Sequence, residues 1–169
     1  MSRSWARDRA FSQAEAAEIL EIPEATLRSW LASGAAPYAS KKVGANRMLS
    51  AADCYILAIA KNLVVAGYSI LVGTAEAWRV AGGPNADPQD VGLDHYVTGH
   101  AGGGQMGTVE LVHEYDIAEA SPEHGVVLIP AGRIARKITR AALEKYGTRV
   151  SEQEIAQVAG ICAQRMGAA

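Results

Sequence analysis

The stretch Phe11-Ser12-Gln13-Ala14-Glu15-Ala16-Ala17-Glu18-Ile19-Leu20-Glu21-Ile22-Pro23-Glu24-Ala25-Thr26-Leu27-Arg28-Ser29-Trp30 reads as two short helices meeting at a tight turn. Ser12 and Glu15 have the S-x-x-E spacing of a capping box, so the first helix starts near Gln13. Its apolar positions are Ala16, Ala17, Ile19 and Leu20, with Glu15, Glu18 and Glu21 mostly on the other side. Pro23 disfavours helical geometry at Ile22, which stops this helix near Glu21. The same proline suits the first turn of a second helix, where its missing N–H is not needed. Leu27, Trp30 and Leu31 recur at three and four residues and form that helix's buried stripe to about Ser33. Gly34 follows as a natural C′ residue. This is the helix-turn-helix layout, in which residues near the start of the second helix read a DNA groove. The outward candidates include Glu24, Ala25, Arg28 and Ser29, of which only Arg28 is a cation.

Working outward, Ala35 to Leu49 has no helical period and holds Pro37, Gly44, Lys41, Lys42 and Arg47. It reads as a wing, an extended loop or hairpin lying along the DNA backbone. Contacts of this kind supply affinity and position rather than sequence information. Ser50, with Asp53 at N3, caps a third helix carrying Cys54, Ile56, Leu57, Ile59, Ala60, Leu63 and Val64. A helix so nearly apolar all round is expected to be buried on more than one side, with a subunit contact as one way to cover it. Gly67 ends it, and Tyr68-Ser69 opens a fourth helix to about Val80.

Residues 11 to 80 resemble the DNA-binding domain of the MerR family and its relatives, which include phage excisionase-like proteins. The resemblance is carried by Thr26-Leu27-Arg28, by Arg47 followed by Ser50, and by Gly67-Tyr68-Ser69, in that order and spacing. It covers a little under half of the chain. It implies that Arg28 contacts DNA at the groove beside Ala25, Thr26 and Ser29. It also implies that Arg47 grips phosphate from the wing and that Tyr38, Lys41 and Lys42 lie near the duplex. Two features depart from the family. A single Trp30 follows Ser29 where members usually carry an aromatic pair, and Ala81-Gly82-Gly83-Pro84-Asn85-Ala86-Asp87-Pro88 replaces the long dimerising helix.

Composition sets outer limits. A chain of 169 residues that is 49 % hydrophobic can hold one packed domain or two small ones. No apolar run approaches the roughly 18 residues of a membrane span, and Ser2 to Arg9 is too polar for a secretory signal. Only Cys54 and Cys162 are present, which fits a reducing cytoplasm and implies no disulfide framework. The net charge of −2 argues against indiscriminate coating of nucleic acid but not against a local DNA-binding surface. Abundant alanine and glycine suggest a GC-rich bacterial or phage genome. Residues 1–10 read as a flexible arm in which Arg3, Arg7 and Arg9 either reach DNA or solubilise the terminus. The expected division is then 11–81 for DNA binding, 82–92 as a linker, and 93–169 as a small α+β domain for dimerisation, sensing or interaction.

In that second part Leu93 to Thr98 and Thr108 to Ile117 have strand character, and Gly125 to Ile129 reads as an interior strand. A helix from about Arg133 to Tyr146 and a last one, capped by Ser151 and Glu154 and ending near Met166, complete it. The fold class is thus a mainly α winged helix-turn-helix followed by about three strands and two helices. Gly102 to Gly107 satisfies G-x-G-x-x-G, but a strand-like run follows it where a dinucleotide site needs a helix, so a hairpin loop is expected. His95 and His113 can face one another across a hairpin, which suits a metal. No H-x-x-x-H or C-x-x-C spacing accompanies them, and scattered surface histidines are the expectation. Arg133, Arg136, Lys137 and Arg140 share one helix face, opposite Ile134, Ile138 and Ala142. They form either a second phosphate-contacting or acidic-partner surface, or the ordinary solvated side of an amphipathic helix.

The expected function is sequence-specific binding of double-stranded DNA by a bacterial or phage-derived transcriptional regulator. It is expected to act as a cytoplasmic, nucleoid-associated homodimer, with the C-terminal part open to another protein. An excisionase-like or packaging architectural factor is one alternative. A protein-interaction module that kept the scaffold without DNA binding is another. No catalytic residue, metal, cofactor or membrane partner is expected.

Overall fold

Ser12 Oγ accepts from the Glu15 N–H at 3.2 Å, and the Ser12 N–H donates to Glu15 Oε2 at 2.9 Å. The capping box therefore closes and starts α1, Gln13–Leu20. These contacts come from a computed structural model, which describes residues 5–37, 39, 41–43, 46–100, 109–117 and 126–145. Glu21 ends α1 in the left-handed region, with φ of 54°. The chain then enters α2, Glu24–Ala32, whose Thr26 and Leu27 amides donate to the Pro23 carbonyl. Leu27 and Leu31 are buried behind this helix, as the stripe predicts. Trp30, expected in the same stripe, is only half-buried at the edge of the core.

Three short strands form an antiparallel sheet of order β1-β3-β2, where β1 is Arg9–Ser12, β2 Lys41–Val43 and β3 Asn46–Ser50. The flexible arm expected over residues 1–10 is corrected here for residues 5–10. Trp5–Arg7 form a 3-10 turn and Ala6 is fully buried. Arg9 opens β1, donates to the Met48 carbonyl at 2.8 Å and pairs with Asp53 at 3.5 Å. Its charge is thus used inside the fold. Burial raises the Asp53 carboxyl above its ordinary range, against opposing hydrogen bonds from Ser50 and the charge of Arg9.

Ser50 and Asp53 close a second capping box at the head of α3, Ala51–Val65. This helix is the centre of the molecule, with Tyr55, Leu57, Ile59 and Leu63 fully buried. The chain itself covers its nearly apolar surface, so no subunit contact is needed. One side packs on α1, another on α4, Ile70–Val80, and a third on α5, Ala131–Lys145. Arg79 ties α4 to the second half of the chain. It pairs with the buried Glu76 at 2.7 Å and also donates to the Val109 carbonyl.

The second sheet is antiparallel with order β5-β4-β6, from β4 His95–His100, β5 Glu110–His113 and β6 Val126–Ile129. The run 126–129, expected as an interior strand, lies at an edge of this three-stranded sheet. β4 is the central strand, and Leu128 of β6 remains 46 % exposed. α5 begins at Ala131, two residues earlier than the sequence suggests, and so includes Gly132. A Cβ at Gly132 would lie 2.1 Å from the Gly92 carbonyl oxygen and 2.6 Å from Leu93 Cα, so α5 and segment 92–93 meet backbone to backbone. Residues 82–92 carry two 3-10 turns, Gly83–Asn85 and Pro88–Asp90, and α5 packs on the second. The buried residues form one cluster from Phe11 through α3 to Ala142. Among the described residues there are five α-helices and two small sheets, and no helix is long and apolar enough to cross a membrane. The expected last helix, the 102–107 glycine run, Tyr38, His124 and Cys162 lie outside the described residues.

Candidate nucleic-acid interface and a second charged surface

α2 projects from the core with Leu27 and Leu31 inward, which leaves Ala25, Arg28 and Ser29 exposed and Thr26 half-buried. Arg28 is the only cation on this helix and is 65 % exposed. Its Nη2 lies 2.7 Å from Glu24 Oε1, one helical turn earlier. The exposed face of α2 is therefore close to neutral. An arginine here is suited to a guanine edge, and a glutamate can accept from a cytosine amino group. Both contacts require the Glu24–Arg28 pair to open, which costs little because exposed pairs of this type are weak.

Arg47 lies on β3, and its Nη1 donates to the Leu31 carbonyl at 3.0 Å. The last carbonyls of a helix have no partner within it, so this bond satisfies one of them. It also clamps the β2–β3 hairpin to the end of α2. Sequence reasoning gave Arg47 a phosphate-gripping role and missed this structural one, because its partner is sixteen residues away. The hairpin register sets Lys42 opposite Arg47 and Lys41 opposite Met48. Thr74 of α4 donates to the Ala35 carbonyl at 2.6 Å, fixing the start of the segment between α2 and the hairpin.

The other charged surface is on α5. This helix runs antiparallel beside α1, with Lys137 paired to Glu21 and Lys145 to Glu15. The hydrogen bond from Lys145, aided by Ser12, lowers the Glu15 carboxyl from 4.5 to about 2. Glu21, held by Lys137 and by Lys61 at 3.8 Å, is likewise lowered. Two cations of α5 thus lie against acidic residues that the sequence reading placed on the solvent side of the first helix.

Arg133, Arg136, Lys137 and Arg140 together line one wall of a cleft of about 570 Å³. The cleft is also lined by Leu93, Asp94, Tyr96 and Glu114, from β4 and the residues flanking β4 and β5. Asp94 is engaged at its back by two histidines. Its Oδ1 lies 3.1 Å from His95 Nδ1, and its Oδ2 is hydrogen-bonded to His113 Nε2. Burial acts to raise the Asp94 carboxyl, but its own backbone amide and the two histidines outweigh this and hold it low. His95 and His113 are register partners, as the hairpin reading anticipates. Among the described residues no group of three His, Cys, Asp or Glu side chains is placed to hold a metal ion. The helical spacing picked out the four cations, but nothing local in the sequence marks Tyr96, Asp94 or Glu114 as lining the same cleft.

Residues 11–71 match the family model described as MerR HTH family regulatory protein. The match spans α1, α2, the hairpin, α3 and the first two residues of α4, and includes neither the second sheet nor α5. No curated protein matches the chain. The matched segment points to a DNA-binding transcription regulator.

Proposed function

From a MerR-type helix-turn-helix at residues 11–71, we propose that this protein binds double-stranded DNA sequence-specifically as a homodimeric transcription regulator. α2 enters the major groove, where Arg28 reads a base edge and Ala25, Thr26 and Ser29 pack around it. The β2–β3 hairpin acts as the wing, with Arg47, Lys41, Lys42 and the neighbouring Tyr38 along the phosphates. Dimerisation follows from the geometry of such units, whose half-sites lie about one helical turn, 10–10.5 base pairs, apart. The observation that carries the reading is the solvent-facing row Ala25, Arg28 and Ser29 on the second helix of the matched segment.

The test is selection of bound sequences from a random duplex pool at about 0.15 M salt, where nonspecific affinity is suppressed. An enriched two-part motif is expected. The Glu24–Arg28 pair favours one other reading, a protein-interaction module on the same scaffold, because it leaves α2 nearly neutral. Failure to enrich any sequence, with no salt-sensitive retention of DNA, selects that reading.

A further inference from the structure

We propose that the cleft between α5 and the β4–β5 end binds a small phosphorylated ligand of the nucleotide class, with phosphates on the arginine wall and a planar base against Tyr96. The first observation is the spacing of the cations. Arg133/Arg136 and Lys137/Arg140 are three residues apart, and Arg133/Lys137 and Arg136/Arg140 are four apart. Like charges at these separations repel one another on a helix. The span from 133 to 140 is about 10 Å at 1.5 Å per residue, so more than one phosphate of a single ligand can be met along it. Among the described residues Lys137 has a counter-ion in Glu21, while no ion pair balances Arg133, Arg136 or Arg140. An anion would relieve that repulsion, and guanidinium forks match phosphate geometry.

The second observation is shape. A cleft of about 570 Å³ falls within the range of roughly 300–1,000 Å³ typical of small-molecule sites. The third is the rest of the lining. Tyr96 is half-buried and Leu93 is 43 % exposed, and together they offer a flat, partly apolar face. Asp94 and Glu114 stand beside them as acceptors. A purely anionic ligand would be repelled at that end. A nucleotide places its charge on the arginine wall and its amino and ring N–H donors toward the carboxylates.

Occupancy also reaches the DNA-binding segment. A ligand phosphate competes with Glu21 for Lys137, and Glu21 sits at the turn between α1 and α2 with a left-handed backbone. This consequence rests on the DNA-binding reading, whereas the ligand site itself does not.

The experiment is calorimetric titration of the full chain with ATP, with GTP and with tripolyphosphate at about 0.15 M salt. The same titrations are run on Arg136→Ala/Arg140→Ala and on Tyr96→Ala, with circular dichroism as the folding control. At least one nucleotide is expected to saturate at one site per chain. The double variant should weaken it by about tenfold or more, since hydrogen bonds to charged groups are the strong ones. Tyr96→Ala should weaken the nucleotide and leave tripolyphosphate unchanged. Absence of saturable binding by either nucleotide overturns the proposal, as does equal affinity of folded double variant and wild type. Tripolyphosphate binding as tightly as both nucleotides removes the base subsite. Loss of duplex affinity in the ligand-free double variant assigns the arginines to DNA instead.

Discussion

Two helices, α2 and α5, balance their exposed cations in opposite ways. On α2 the single cation, Arg28, is matched by Glu24 one turn away on an exposed face. On α5 four cations crowd one face. One of them is matched by Glu21, from the turn after α1, and three line a cleft without an ion pair among the described residues. A nearly neutral exposed face gains little from charge alone and suits discrimination between base edges. A face whose arginines have no ion pair among the described residues suits capture of a compact anion. The helix richer in charge is therefore not the one proposed to read DNA.

The largest effect that sharpens this contrast is on what holds α2 in place. Leu27→Ala removes a fully buried side chain behind the recognition face and should cost roughly 2–5 kcal/mol in chemical denaturation. Trp30→Ala, at the half-buried neighbouring position, should cost distinctly less. Next is the seat of α5. Gly132→Ala drives a Cβ into the Gly92 and Leu93 backbone and should cost roughly 1–3 kcal/mol by thermal unfolding. An unchanged melting temperature would mean that α5 is not seated where the cleft requires.

Arg28→Ala should lower affinity for the selected duplex by roughly 1–3 kcal/mol and relax preference at one base position, read by competition binding. Glu24→Gln tests the balance directly. Freeing Arg28 from its partner should tighten nonspecific DNA and steepen the salt dependence by up to about 0.9 in log–log slope. An unaltered slope would show that the pair does not restrain Arg28.

The smallest effect concerns the α1–α5 contact. The Glu15 carboxyl is lowered to about 2 in the folded chain, so its contribution is complete above its ordinary value near 4.5. That contribution is lost as pH falls from there through about 2. Glu15→Gln keeps the capping box, since glutamine serves in it, but removes the charge. Its denaturation midpoint should therefore fall less than the wild-type midpoint between pH 5 and pH 2. Equal slopes would show that the Lys145 pair adds no stability. The side chain is 39 % exposed, so solvent screening keeps the effect small.

What the sequence made legible follows from distance along the chain. Both capping boxes, the stop before Pro23 and the α2 stripe depend on residues three or four apart, and all could be read directly. The burial of Phe11 and Leu49, by contrast, depends on β1 pairing with β3 across almost forty residues, which turned an expected arm into a strand. β6 was misplaced for the same reason: a short apolar run does not say which strand of a sheet is central. Gly132 falls just before the helix that the sequence starts near Arg133. Its role in the first turn appears only when segment 92–93 is packed against it. The α5 cations were visible as a face, but whether that face was merely solvated or lined a site depended on residues about twenty to forty positions earlier. Arg47 shows the same limit at the interface, since its bond to Leu31 joins two elements that the chain order separates.

The most direct test of the central claim runs duplex selection side by side on wild type, Arg28→Ala and Arg136→Ala/Arg140→Ala. Wild type and the α5 variant should enrich the same motif, and Arg28→Ala should lose preference at one position within each half-site. If the α5 variant loses the motif while Arg28→Ala retains it, the assignment of DNA reading to α2 is contradicted.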